Sequence, residues 1–467
     1  MNDDREVPSG ADVGWTKVEF RNLELGDSRV ERRLTKVAEA LSQQPERPIN
    51  LASRDAAATK AAYRLFNNEK ASGEKILSAH RNRTLERMQG EPIVLAIQDT
   101  TILDFSGHKK TEGLGPIHHS STEHPTDLQG LLLHTTFAVT PKGLPLGILV
   151  QKCWARDGYC DSDITYRKRA FHEKESRKWT DALNGTANLS TTATTVIHVA
   201  DRECDIYEFL REAQTLDTKY VIRACYDRRI ESEEFQTIQQ QLRALTSQGE
   251  VEIDVPTQKR KAILELIFAP MVLRAPSRLI RAKRQPISCW VVHVREIQAP
   301  TGTEPLSWTL LTNIPVTSHQ QAAERLSWYR RRWSIEEFHK ILKDGCAVED
   351  CRLQTADRLK RFIALFSVIA WRIFWMVHIH RSDPTAPAEV VLTHAEINTL
   401  RSLKRFKGTL SSTTSLTVKQ AIVAVACLGG YLNRRNDLPP GAIVIWRGWQ
   451  QLSTMAELYE SMRPECG

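Results

Sequence analysis

Nine cysteines are scattered through this 467-residue chain, and no two are spaced Cys-x-x-Cys. That absence argues against a disulfide framework and the common zinc ribbons, and it fits a reducing compartment. Cys346 and Cys351 stand near His339, but without a paired motif they make a poor structural zinc site. A Gly-rich phosphate loop is missing too, so no nucleotide cofactor is expected. Residues 1–10 are polar, and no secretory leader is read there. Long apolar runs are scarce. The strongest, residues 362–379, barely reaches membrane-spanning length and carries Arg372 at its middle, so a buried core helix and no membrane partner are expected. Internal repeats and long low-complexity tracts are lacking as well.

What is present is a mildly basic chain of net charge +8, a balance that favours a polyanionic partner. Its length calls for two or three domains. The first block reads as helical. Gly26-Asp27 offers an N-cap, followed by an apolar stripe of Val30, Leu34, Val37 and Leu41. Arg29, Arg32, Arg33 and Lys36 recur on another face of that helix. Lys60 and Arg64 lie one turn apart on a second helix over residues 56–66. Such faces also occur on ordinary solvated bundles.

The middle of the chain changes period. Residues 93–97 and 196–200 are short apolar runs, the mark of buried strands. Residues 131–139 and 144–150 read as two strands around a Pro-Lys-Gly turn, and a helix is expected over about 206–213. From about 219 to 314 strands dominate, separated by basic pieces such as Lys259-Arg260-Lys261 and Arg281-Ala282-Lys283-Arg284. Past residue 320 the chain is helical again, with Ser382-Asp383-Pro384 opening a linker.

Three acids stand out. Asp99 and Asp201 each follow an apolar strand, and strand ends in α/β sheets gather catalytic groups. Glu336 lies in the run Tyr329 to Lys343. Read as one helix at 100° per residue, the run puts Trp328, Ile335, Phe338 and Leu342 on one side. Tyr329, Arg332, Glu336, Lys340 and Lys343 fall on the other. Taken singly, each Asp reads as a turn or cap residue and Glu336 as an i,i+4 ion-pair partner. Converging carboxylates repel unless a cation neutralises them, and hard oxygen ligands suit Mg²⁺ or Mn²⁺.

The spacing of Tyr329, Arg332, Glu336 and Lys343, together with Asp99-Thr100-Thr101 and Asp201-Arg202-Glu203-Cys204-Asp205-Ile206, resembles the bacterial cut-and-paste DDE transposases of the IS-four family. The resemblance runs over nearly the whole chain. It implies an α/β fold: an RNase H-like catalytic core over residues 73–381, with a β-rich insertion at about 219–314. A helical DNA-end-binding domain (1–72) and a helical dimerisation domain (382–467) would flank the core. It implies Asp99, Asp201 and Glu336 as the catalytic, metal-binding triad, with Mg²⁺ as cofactor and Mn²⁺ as substitute. It assigns Tyr329, Arg332, Lys340 and Lys343 to the DNA backbone near the cut, and Arg223 to DNA. Trp308 would receive a flipped base, although a strand can also simply bury a tryptophan. Arg29, Arg33, Lys60 and Arg64 become candidate end contacts. The implied partners are double-stranded DNA, as transposon ends and target, and a second copy of the chain in a synaptic complex. The implied location is the bacterial cytoplasm, at the nucleoid when DNA is bound. Tyr207 departs from the pattern, where a family member carries His. The rival readings are a non-catalytic DNA-binding protein and a nuclease or resolvase of the same fold that cuts without joining.

Overall fold

The computed structural model describes residues 14–461 except 54, 118–127, 158–168, 256, 257, 259, 281–283, 407–409 and 411–414. Lys259, Arg281 and Lys283 of the basic stretches therefore lie outside the described residues. The N-terminal block is helical: α1 (Trp15–Glu19), α2 (Ser28–Gln43), α3 (Ile49–Ala52), α4 (Ala56–Phe66) and α5 (Gly73–Met88). Asp27 caps α2 by accepting the Arg29 N–H, which satisfies one of the helix's free donors. Val30, Leu34, Val37 and Leu41 are buried, and α2 packs against α4.

One ten-stranded sheet follows. Its first members are β1 (Ile93–Asp104), β2 (Gly115–Pro116), β3 (Gln129–Val139) and β4 (Pro145–Trp154). Helix α6 (Arg177–Asn184), strand β5 (Thr195–Ala200), helix α7 (Tyr207–Thr215) and strand β6 (Lys219–Arg223) come next. Helix α8 (Ile238–Ala244) precedes β7 (Glu250–Val255), β8 (Arg260–Leu273), β9 (Ile287–Glu296) and β10 (Ser307–Thr312). The order is β2-β3-β1-β5-β6-β10-β9-β8-β7, with β4 on β3. Strands β1, β5 and β6 run parallel, and the other pairings are antiparallel. Among the described residues the strand-rich stretch thus builds no second sheet. It extends the central one through β6 and β10.

The C-terminal part is helical: α9 (His319–Arg330), α10 (Trp333–Lys340), α11 (Ala356–Ser382), α12 (His394–Ser402), α13 (Val418–Leu428) and α14 (Ala442–Ser461). Helix α11 is apolar and long enough to cross a membrane, but 94% of its apolar window is buried inside the fold. It is the core helix the composition called for. Arg372 is accommodated by stacking over Trp375 (4.6 Å) and donating to the Val391 carbonyl (2.7 Å).

A buried polar knot ties the N-terminal helices to this core. Arg87 on α5 donates both terminal nitrogens to the Glu19 carboxylate of α1 (2.9 and 3.1 Å) and its Nε to Leu146 O of β4 (2.6 Å). Its guanidinium lies 4.1 Å over the Trp371 ring of α11. His80 accepts the Ile148 N–H at Nε2 (2.9 Å), so it is neutral and its Nδ1–H donates to Glu19 (2.5 Å). Gly147 makes that approach possible: at φ +146° any Cβ would run into Thr84 Oγ1. Burial alone would raise the Glu19 carboxyl, but His80 and Arg87 outweigh it and pull the group down to about 2. Burial also holds His80 below its usual value, against the pull of Glu19. Both groups bind protons more weakly folded than unfolded, so acid favours the unfolded chain. Stability should fall as pH drops below 6.5 for His80 and between 4.5 and about 2 for Glu19. Glu19 accounts for on the order of 3 kcal/mol of that loss. Urea unfolding at pH values spanning that range should show the loss, and Glu19→Gln, weaker at neutral pH, should show a flatter pH dependence. An equal slope in the two proteins would refute the assignment.

Candidate active site

Read from sequence, the first strand ends before Asp99; in the structure it runs on to Asp104. The reason is β3, which pairs with β1 from Leu95↔Val139 to Asp104↔Gly130. Strand β5 keeps to β1 only as far as Ile97↔Val199, so the sheet opens beyond that pair. Continued two residues, the same register sets Asp99 level with Asp201, the first residue past β5. Asp201 caps a short turn, Arg202–Cys204, by accepting the Glu203 N–H (2.9 Å). Asp205 pins the far end of that turn. Its buried carboxylate accepts the Cys225 and Tyr226 N–H groups (2.7 and 3.2 Å) and Arg228 Nε (2.7 Å). Its position inside the Asp201 block was legible, but its role was not, because all its partners lie about 20 residues downstream.

The run from Tyr329 to Lys343 is not one helix. Helix α9 ends at Arg330, and α10 starts again at Trp333. Between them Arg331 N and Arg332 N bond back only three residues, to Trp328 O and Tyr329 O (3.0 and 2.9 Å), which tightens the turn and changes the axis. The predicted faces are therefore partly wrong. Tyr329, placed on the polar side, is buried, with its ring 6.3 Å from Trp308. Trp328, Ile335, Phe338 and Leu342 are buried as expected. Phe338 stacks on Phe137 (4.7 Å), and Phe137 lies opposite Ile97 in the sheet. Helix α10 thus sits on the sheet face that carries Ile97 and, two residues on, Asp99. Past Lys340 the helix widens into a π turn, Ile341–Gly345.

Asp99, Thr100, Thr101, Glu336, His339, Lys340, Lys343 and Asp344 line an open cleft of about 320 Å³. A larger cavity, about 740 Å³, lies elsewhere, between α1, α11 and the C-terminal helices, and none of the three acids lines it. A duplex needs a groove rather than a cavity, so the smaller, open cleft is the better site. Burial pushes Asp99 up to about 7, and the charges of Asp201 and Glu336 push the same way, against the Thr100 N–H and Arg332. The three acids therefore share one electrostatic neighbourhood. Burial works against the Arg332 charge, but Tyr329, Glu336 and Asp99 more than restore it. Arg332 bonds Glu336 directly. Lys343 donates to Ile102 O on β1 (3.0 Å) and pairs with Glu349 (3.2 Å).

The donor set fits a hard divalent cation in type, since its members are carboxylates and the charges of Asp201 and Glu336 both press on Asp99. Among the described residues no three His, Cys, Asp or Glu side chains already form a metal-binding group, and Glu336 turns to Arg332 instead. His339 was not singled out for this site. It lines the cleft one turn after Glu336, and its buried Nε2 has no hydrogen-bond partner.

The other candidates fall into two places. Arg223 is half-buried and donates to Ser307 O (3.3 Å), beside Trp308, which itself neighbours Tyr329. Arg29 and Arg33 line a groove of about 460 Å³ between α2 and α4, with Arg32 and Lys36, over a floor of alanines. Lys60 and Arg64 are exposed on α4 and do not line that groove. Tyr207, the departure from the family pattern, is a buried structural residue whose hydroxyl donates to Gln285 O (2.8 Å).

Comparison with protein families gives two matches. Residues 12–71 match the Transposase DNA-binding family, and residues 172–371 match the Transposase DDE domain family. The first match holds Arg29, Arg33, Lys60 and Arg64; the second holds Asp201 and Glu336, while Asp99 precedes it. A DDE domain implies an RNase H-like core, and such domains generally use divalent metal ions to cleave and join DNA. With these two segments the chain carries the DNA-binding and DDE domains of a transposase.

Proposed function

We propose that this protein is a cut-and-paste DNA transposase of the IS-four type, with Asp99, Asp201 and Glu336 as its catalytic carboxylates. One arrangement supports the reading: strand register brings Asp99 level with Asp201, and Asp99 shares an open cleft with Glu336, Lys340 and Lys343. These acids would hold Mg²⁺, with Mn²⁺ as substitute. The bound cation supplies a nucleophile at neutral pH and stabilises the leaving oxygen in phosphoryl transfer.

The chain's own residues position the DNA. Arg332, Lys340 and Lys343 bind backbone phosphates beside the scissile bond, and affinity from such contacts falls steeply with salt. Tyr329 lies beside Trp308, which is half-exposed and available to stack on an extruded base, and Arg223 holds the neighbouring Ser307 carbonyl. That supports a hairpin route. A water first opens one strand, the freed 3′-hydroxyl attacks the opposite strand, a second water opens the hairpin, and the 3′-hydroxyl then attacks target DNA. Each step exchanges one phosphodiester bond for another or for water, so one site serves all four. The α2–α4 groove, with Arg29 and Arg33 on its rim, binds the transposon end, and Lys60 and Arg64 flank it. The C-terminal helices provide the contact with a second copy; Leu432, Leu438, Ile443 and Leu458 are exposed there.

Strand transfer tests this against the nuclease reading. With a pre-cut 3′-hydroxyl end, Mg²⁺ and plasmid target, joined products are expected. Cleavage of uncut ends without any joining would favour the nuclease, and end binding without either would favour a repressor.

A further inference from the structure

A continuous chain of hydrogen bonds between buried side chains runs under the carboxylates, on the opposite face of the sheet. Successive strand residues alternate faces, so Gln98 and Thr100 point away from the face of Asp99. Thr100 Oγ1 meets Nδ1 of His134 (2.9 Å), its direct neighbour on β3. His134 Nε2 meets Gln98 Oε1 (3.3 Å), and Gln98 Nε2 meets Nδ1 of His198 on β5 (2.7 Å). His198 Nε2 ends on Thr186 Oγ1 (3.0 Å), just past α6. Gln98, His134, His198 and Thr186 are each 2% exposed or less.

Donors and acceptors match along the whole chain. The amide nitrogen only donates, so His198 accepts at Nδ1 and donates from Nε2 to Thr186, whose hydroxyl donates to Ala182 O (2.9 Å). The amide oxygen only accepts, so His134 donates from Nε2 and takes the Thr100 hydroxyl at Nδ1. Both histidines are neutral, and burial keeps them so. Of these side chains, Thr100 is the one whose residue lines the cleft. The Thr100 N–H in turn donates to the Asp99 carboxylate (2.8 Å).

Apolar side chains would hold these strands together as well, but would not set their relative height. Hydrogen bonds do, because they tolerate only a few tenths of an ångström. This chain crosses β3, β1 and β5 at the level where the β1–β5 pairing ends and the two aspartates begin. We propose that Gln98, with His134 and His198, is a positioning residue that sets Asp99 against Asp201 for a shared divalent cation, with Thr100 as the link to Asp99. The proposal rests on the reading of those carboxylates as the cation site.

The test is Mn²⁺ binding to the full-length protein, followed by the electron paramagnetic resonance of free Mn²⁺. Gln98→Met keeps the side chain's length and removes both hydrogen bonds. Its Mn²⁺ affinity should fall by about 10- to 100-fold, the usual effect of losing a group that orients metal ligands. Its cleavage defect should be recovered by raising Mn²⁺, and its end binding in chelator should match the parent. An unchanged Mn²⁺ affinity would overturn the proposal. If Gln98→Met does not fold, the pair Thr100→Val and Thr100→Ser decides: Val should weaken Mn²⁺ binding and Ser should retain it, and equal affinities would overturn the link. Asp99→Asn separates the two claims. If it binds Mn²⁺ like the parent, the carboxylate site itself is wrong. If it loses Mn²⁺ while Gln98→Met keeps it, only the positioning claim fails.

Discussion

Glu336→Ala should lower cleavage of transposon-end DNA by about 10³-fold or more, because the groups that hold a catalytic metal account for several kcal/mol of transition-state stabilisation. End binding should stay within a few-fold of the parent. The candidate end-recognition residues Arg29, Arg33, Lys60 and Arg64 lie on α2 and α4, and the substitution leaves the phosphate-binding Arg332, Lys340 and Lys343 in place. The variant also releases Arg332 from its ion pair and leaves that cation facing phosphate, which offsets part of any loss in affinity. Gel-shift and cleavage assays on the same DNA separate the two effects. Cleavage at the parental rate would remove Glu336 from the site. Loss of binding and cleavage together would show instead that α10 organises the end-binding surface.

Phe338→Ala should destabilise the protein by about 3–5 kcal/mol, the range for deleting a fully buried ring that leaves a cavity. Phe338 is fully buried and stacks on Phe137, which also touches Phe374 of α11 (5.8 Å). The ring therefore clamps α10 between the sheet and the core helix. Glu336 and His339 ride on the same two turns, so the site should loosen along with the fold. Urea denaturation reads the first effect. Cleavage below the unfolding transition reads the second, and should drop even where the variant is folded. Phe338→Leu keeps most of the volume and should recover most of both. A Phe338→Ala protein as stable as the parent would mean that α10 is held by its turns rather than by this ring.

Much of this molecule is written locally. The stripe Val30, Leu34, Val37 and Leu41, the cap Asp27, and the short apolar strands ending at Ala200 and around Leu95 depend on residues a few positions apart, and they appear where periodicity places them. The candidate acids and the basic residues near Glu336 could be singled out for the same reason, since each short motif around them is a local property. The break at Arg331 and Arg332 was not legible. Both residues favour helix, and nothing nearby forbids one. Tertiary packing overrides that preference, because Tyr329 must reach Trp308 on β10 while Phe338 must reach Phe137 on β3.

By itself, then, the sequence determined which side chains are available, which short segments are helix or strand, and that acids and cations would lie together along the chain near residue 336. Only the tertiary structure decided that Asp99 lies within a strand, level with Asp201, and that Tyr329 is buried. It alone produced the hydrogen-bond chain from Thr100 to Thr186 beneath the aspartates. The physical reason is register. Strand height is set by pairing between segments about 100 residues apart, and local periodicity carries no information about that pairing.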